Sequence, residues 1–256
     1  MTPRRPGRPR PGPGGLGGDQ VEGRQAVRAL LATGRRAVRE VLVAEGTEPA
    51  PILEEIAELA ASRGVRVRRV TREALSGLAL SDVPQGVLAR ADPLAPVALS
   101  SLTGTGAFLV LLDGVTDPHN LGAVLRSAAA AGATGVLLPR RRAAHLGPVA
   151  VKAAAGAVEH LPVCLVPGAP AALQALGRAG VWRVGLDERG TVDLEEVGVL
   201  GQPVVLVLGA EGRGLGALTA ARCDVLARIP MPGPVPSLNV AAAAAVACFT
   251  VARRRA

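Results

Sequence analysis

The second half of the chain repeats short apolar runs that read as buried central strands. They are Phe108-Leu109-Val110-Leu111-Leu112, Gly135-Val136-Leu137-Leu138, Leu161-Pro162-Val163-Cys164-Leu165-Val166, Trp182-Arg183-Val184-Gly185-Leu186 and Val204-Val205-Leu206-Val207-Leu208. Continuous apolar character without polar alternation marks a strand covered on both faces. Helical segments separate the runs. Asn120 is placed to cap a helix running to about Ala131, with Gly132 just beyond it. Residues 237–253 read as an Ala-rich terminal helix. Such alternation predicts an α/β unit, a mostly parallel sheet with helices on both faces.

The first half is different. Residues 1–19 form a basic Pro/Gly/Arg tail, too poor in large apolar groups to fold. Gly12-Pro13-Gly14-Gly15-Leu16-Gly17 fits GxGxxG, but no strand precedes it, so it is not a dinucleotide site. Residues 20–92 read as a small α/β unit. Val21, Val27, Leu30 and Leu31 suggest a helix ended by Gly34, and 41–44 a buried strand. Ile52, Ile56, Leu59 and Ala60 suggest a helix closed by Gly64. Residues 65–70 alternate as a strand, Thr71 caps a short helix, and 85–90 form a third strand. Residues 93–105, rich in Pro, Ser, Thr and Gly, read as a linker, and 106–256 as the second unit.

Composition narrows the function. Hydrophobic residues are 49% of the chain, yet no apolar run reaches the roughly 18 to 20 residues of a membrane span. The N-terminus has no apolar segment of the signal-peptide kind, so a cytoplasmic protein is expected. Cys164, Cys223 and Cys248 are widely spaced and the histidines scattered, which points to neither a disulfide framework nor a metal site. The net charge of +8 suits a polyanionic partner. With two Phe, one Trp and no Tyr, RNA would have to be held by arginines on phosphates and by guanidinium stacking.

Polar groups beside glycine or proline follow the strands in three places. These are Asp117-Pro118-His119-Asn120-Leu121-Gly122-Ala123-Val124-Leu125-Arg126-Ser127, then Leu208-Gly209-Ala210-Glu211-Gly212, then Ile229-Pro230-Met231 followed by Ser237-Leu238-Asn239-Val240. Ligands of open parallel sheets sit at the carboxyl ends of the strands, where such loops can meet around one pocket. A Rossmann methyltransferase would put its glycine-rich turn after the first strand. Here that turn comes near the C-terminus, and the order and spacing resemble the SpoU/TrmH branch of the SPOUT RNA methyltransferases over residues 106–256.

The resemblance implies a deep trefoil knot in the C-terminal unit. It also implies methylation of a ribose 2′-hydroxyl in RNA using S-adenosyl-L-methionine, without a metal, by a homodimer with its site at the subunit interface. Glu22-Gly23-Arg24-Gln25-Ala26-Val27, Val41-Leu42-Val43-Ala44-Glu45-Gly46 and Pro84-Gln85-Gly86-Val87 resemble the L30e-like substrate-binding domain of the ribosomal-RNA members, including the RlmB type. That favours a guanosine of 23S ribosomal RNA. A tRNA ribose methyltransferase and an antibiotic-resistance methylase are the alternatives within the class; a non-catalytic ribosome-assembly protein is the alternative outside it.

Carried over, Asn120 and Arg126 form the polar pair of the first motif, Glu211 is the acid of the second, and Ser237 and Asn239 position the ribose, the arginine and the cofactor. Leu208, Gly209, Ile229, Met231 and Leu238 line the cofactor loop, largely through backbone. Ala241 stands where many relatives have serine. A guanidinium is a poor base, so Arg126 is expected to clamp a developing alkoxide or a phosphate. Arg24, Arg140, Arg141 and Arg142 are expected on the RNA. His119 is read as a turn residue and Arg253-Arg254-Arg255 as a solvated helix tail.

Overall fold

A computed structural model describes residues 16–81, 84–140, 145–210 and 212–256. The first unit contains β1 (Gln20–Glu22), α1 (Arg24–Thr33), β2 (Val38–Ala44), α2 (Pro51–Ser62), β3 (Arg66–Val70), α3 (Arg72–Leu78) and β4 (Val87–Ala91). Its sheet runs β1-β4-β2-β3, with β4 antiparallel to both neighbours and β3 parallel to β2. Val21 belongs to β1 rather than to the first helix, because Gly23, at φ 94°, turns the chain before α1 begins. Gly34 closes α1 and the Thr71 hydroxyl caps α3, as the sequence indicates.

The second unit contains β5 (Phe108–Asp113), α4 (Pro118–Ala130), β6 (Gly135–Pro139), α5 (Pro148–Ala153), β7 (Val163–Val166), α6 (Ala169–Arg178), β8 (Trp182–Leu186), β9 (Val192–Asp193), β10 (Val204–Gly209), α7 (Ala217–Ala220), β11 (Val225–Arg228) and α8 (Val240–Arg255). Its seven strands run β7-β6-β5-β10-β8-β11-β9, every ladder parallel. Phe108, Val110, Leu112, Val204, Leu206 and Leu208 face α4, α5 and α8; Leu109, Leu111, Val205 and Val207 face α6. This alternation explains the unbroken apolar runs of β5, β6 and β10, both of whose faces are buried.

Three local readings change. Asp117, not Asn120, caps α4, accepting the His119 N–H at 3.0 Å; Pro118 takes the first helical position, where its missing N–H costs nothing. Asn239 caps α8, so that helix starts at Val240. The terminal arginines are not a solvated tail. Arg255 donates to the carbonyls of Leu200 (3.2 Å), Gly106 (3.0 Å) and Ala107 (2.8 Å) and lies 5.3 Å from the Phe108 ring centre, and burial lowers its pKa. Arg254 reaches the Glu195 carbonyl.

The stretch read as a linker is packed. Leu94 exchanges backbone bonds with Leu16 and Gly17, Val97 donates to Val163, and Leu102 is buried against β6. Leu16 is itself buried, so the end of the stretch read as a tail joins the fold; residues 1–15 lie outside the described residues. The two units share one continuous core. Arg36 spans the seam with a two-pronged pair to Glu159 (Nε–Oε2 3.0 Å, Nη2–Oε1 2.5 Å), and its Nη1 donates to Gly18 (2.5 Å) and Asp92 (2.6 Å). Gly156 lies so close to α1 that a Cβ would fall 2.4 Å from that of Ala29.

Candidate active site

Because every strand of the large sheet is parallel, their carboxyl ends share one edge. β5, β10, β8 and β11 deliver Asp113, Gly209, Asp187 and Ile229 to that edge. Ile229 and Met231 line a cleft of about 360 Å³ with Glu188, Arg228, Pro230, Pro232 and Pro236. Ile229, Met231 and the three prolines in its lining suit a flat apolar ring, and β11 sits beside β8 in the sheet.

Gly209 ends β10 against the returning loop. A Cβ there would lie 2.2 Å from the Gly214 carbonyl carbon and 2.3 Å from its oxygen, so only glycine allows the backbones to close. Ala210 and Gly214 exchange N–H···O bonds of 3.2 and 2.9 Å, pinching the 210–214 turn shut. Gly214 adopts φ 62°. The Gly216 N–H reaches Asp113 Oδ2 at 3.3 Å, tying the loop to the end of β5.

Asp187 was not singled out by the sequence, yet it fixes the same loop from the other side. It is buried and accepts from Arg189 N (3.0 Å), Nε (2.8 Å) and Nη2 (2.8 Å). The Arg189 side chain is the main reason its carboxyl lies below the usual range, and a bond from the Leu215 backbone lowers it further. The sequence signal was faint: an Asp two residues before an Arg just after a strand.

The sequence-expected residues divide as follows. Asn120 and Asn239 meet: Asn239 Nδ2 donates to Asn120 Oδ1 at 3.1 Å, while Asn239 Oδ1 accepts the Ala241 N–H at 2.8 Å. That cap fixes the amide's orientation. Ser237 and Leu238 are exposed beside it. Leu208 is buried in the sheet core, so only its backbone is available to a ligand. Arg126 is exposed on α4, but six residues from Asn120 it leaves the helix about 120° away. Arg24 lies in the first unit, its Nε donating to the Gln85 carbonyl at 3.2 Å. Arg140 borders a separate cavity of about 530 Å³ at the β6–β7 end of the sheet. Glu211, Arg141 and Arg142 lie outside the described residues.

The model of the SpoU rRNA Methylase family matches residues 107–249, more than half the chain. The chain belongs to this family. Within the SpoU family, the model for RNA 2′-O ribose methyltransferase substrate binding matches residues 20–97, reaching into the packed stretch after β4. The chain is 42% identical to the 23S rRNA (guanosine-2′-O-)-methyltransferase RlmB of Xanthomonas campestris pv. campestris, covering 92% of this chain and 96% of that protein. It is likewise 42% identical to the RlmB of Xylella fastidiosa, with the same coverage. Among solved structures it superposes on the SpoU methyltransferase AviRb from Streptomyces viridochromogenes in complex with AdoMet, with a TM-score of 0.77, 27% identity, and coverage of 92% and 90% of the two chains. Among the described residues, no helix is long and apolar enough to cross a membrane.

Proposed function

We propose that this chain transfers the methyl group of S-adenosyl-L-methionine to the ribose 2′-hydroxyl of a guanosine in 23S ribosomal RNA, in the cytoplasm. The observation that carries the reading is the closed Gly209–Gly214 turn at the end of β10 and the Ile229–Met231 cleft at the end of β11, on one edge of the sheet, with the Asn120–Asn239 pair at the base of α8. Supporting the ribosomal target over tRNA is the match of residues 20–97 to the substrate-binding model, together with likeness to the RlmB enzymes over 92% of this chain.

The residues fit the cofactor. With no Cβ, Gly209 lets the loop after β10 fold back onto it at Gly214, which shapes the sheet edge, and the cleft offers Ile229, Met231 and prolines for the adenine. When bound, the sulfonium supplies an already activated methyl group. This chain's residues must align the 2′-oxygen with it, a positioning effect of about 7 to 11 kcal/mol in favourable cases. Asn239, locked by its cap, holds Asn120 in place and leaves both amides fixed at the site edge. Arg126 is assigned to stabilise negative charge on the 2′-oxygen or a neighbouring phosphate. Glu211 is assigned to order the site, and Ser237 to contact the ribose.

The divergence of Arg126 from Asn120 supports a homodimer, in which Arg126 of one copy serves the site of the other. Exposed Val246 and Phe249 on α8 supply apolar surface for that contact, and α8 packs directly on α4. The deep trefoil knot belongs to the same proposal; supporting it are the placement of β10 between β5 and β8 and the packing of terminal α8 against α4 and β10.

The test is methyl transfer from labelled S-adenosylmethionine to a 23S rRNA transcript, with the product mapped by resistance to alkaline cleavage. Resistance at one guanosine is expected. Methyl transfer to a base, or none, overturns the proposal.

A further inference from the structure

The sheet of the first unit has two faces. One, with Val41, Val87 and Ala89, is covered by α1 and α2. The other, with Leu42, Ala44 and Leu88, packs on Leu75 of the seven-residue α3. That helix is too short to cover the whole face. The ladder places Gln20, Arg90, Glu40 and Arg66 in one transverse row, β1 to β3, with Arg68 one step along the strand on the same side; Gln20 donates to the Leu78 carbonyl at the end of α3, and the arginines of the row stand clear of it.

Arg66, Arg68 and Arg90 are all exposed. Glu40 sits between them, half-buried, with Oε2 3.2 Å from Arg68 Nη1 and Oε1 3.4 Å from Arg90 Nη1. One carboxylate thus orients two guanidinium groups across three strands and leaves the row with excess positive charge. Arginines on an edge strand guard it against pairing with other strands. That explains β3 but not Arg90, which stands on β4, between β1 and β2.

We propose that this uncovered sheet face is an RNA-binding platform, in which Arg66, Arg68 and Arg90 grip phosphates and present guanidinium planes to single-stranded bases. The inference rests on the reading that the chain acts on RNA and adds a surface on the first unit, apart from the residues that line the cofactor cleft. RNA fits better than an acidic protein for two reasons. Planar guanidinium forks match phosphate oxygens in pairs and stack on bases. The chain has two Phe, one Trp and no Tyr, so flat stacking surfaces must come from arginine.

The experiment uses the full chain and a fluorescein-labelled, mixed-sequence, 20-nucleotide single-stranded RNA, titrated by polarisation from 50 to 300 mM KCl. The triple variant R66A/R68A/R90A is expected to bind about tenfold or more weakly, with a salt slope shallower by roughly 2, since each phosphate contact on a single strand contributes about 0.7. Cofactor affinity by calorimetry should stay at the wild-type value. E40Q should act in the opposite direction, tightening binding, because it removes the competing anion while leaving the arginines; loss of binding in both variants would mean the cluster is merely structural and overturns the proposal. Wild-type affinity and slope in the triple variant overturn it too, and point to an acidic protein on this face. If the wild-type protein neither binds the RNA nor methylates 23S rRNA, the underlying functional reading fails instead.

Discussion

Glu159→Ala tests whether the two units act as one body. Arg36 and Glu159 have side chains only 6% and 1% exposed, so removing the carboxylate strands a buried guanidinium. Breaking a buried pair in this way costs about 3 to 5 kcal/mol. For a chain of this size each kcal/mol lowers the melting temperature by about 2 to 4 °C, so a fall of roughly 6 to 20 °C is expected by calorimetry. The double change Arg36→Met with Glu159→Leu should recover only part of this. The carbonyls of Gly18 and Asp92 would lose the Arg36 donor, and a buried unsatisfied group costs about 1 to 3 kcal/mol. In Glu159→Ala assayed below its melting temperature, the KM for 23S rRNA should rise while cofactor affinity holds, because the seam and not the cleft has loosened. A melting shift under about 2 °C with unchanged KM would refute the idea that this pair holds the units in register.

Gly209→Ala forces a methyl group into the Gly214 backbone, so the protein should stay folded, lose about 1 to 3 kcal/mol of stability and bind S-adenosylmethionine at least tenfold more weakly by calorimetry. Arg126→Ala should lower kcat and kcat/KM together with unchanged cofactor affinity, and Arg126→Lys should rescue only partly because an ammonium lacks the planar fork; a wild-type single-turnover rate at saturating RNA would make Arg126 a phosphate anchor instead. Asp224 is held below the usual carboxylate range chiefly by its bonds to the Arg183 side chain. A depressed folded pKa gives stability that is complete above the unfolded value of about 3.9 and lost as pH falls, so Asp224→Asn should destabilise the protein at pH 7 and flatten the acid limb of its melting curve.

The sequence by itself determined the alternation of strands and helices, because continuous apolar runs such as 108–112 and 204–208 can be buried only between two helical layers. It also marked the loops after β5, β10 and β11, since polar groups beside glycine and proline at strand ends leave a local signature. Boundaries followed from chemistry that competes locally: Asp117 outbid Asn120 for the helix start because Pro118 suits the first turn. Only the tertiary structure could decide which distant residues meet. Asn239 finds Asn120 across 119 positions, Arg36 finds Glu159 across 123, and Arg255 reaches back to Ala107. Asp187 acquires its role only when β8 lies beside β10, and the arginine row exists only once β1, β4, β2 and β3 are in register. Periodicity encodes how each segment buries its own apolar face; the pairing of polar groups depends on strand order and register, which contacts far apart in the chain select together.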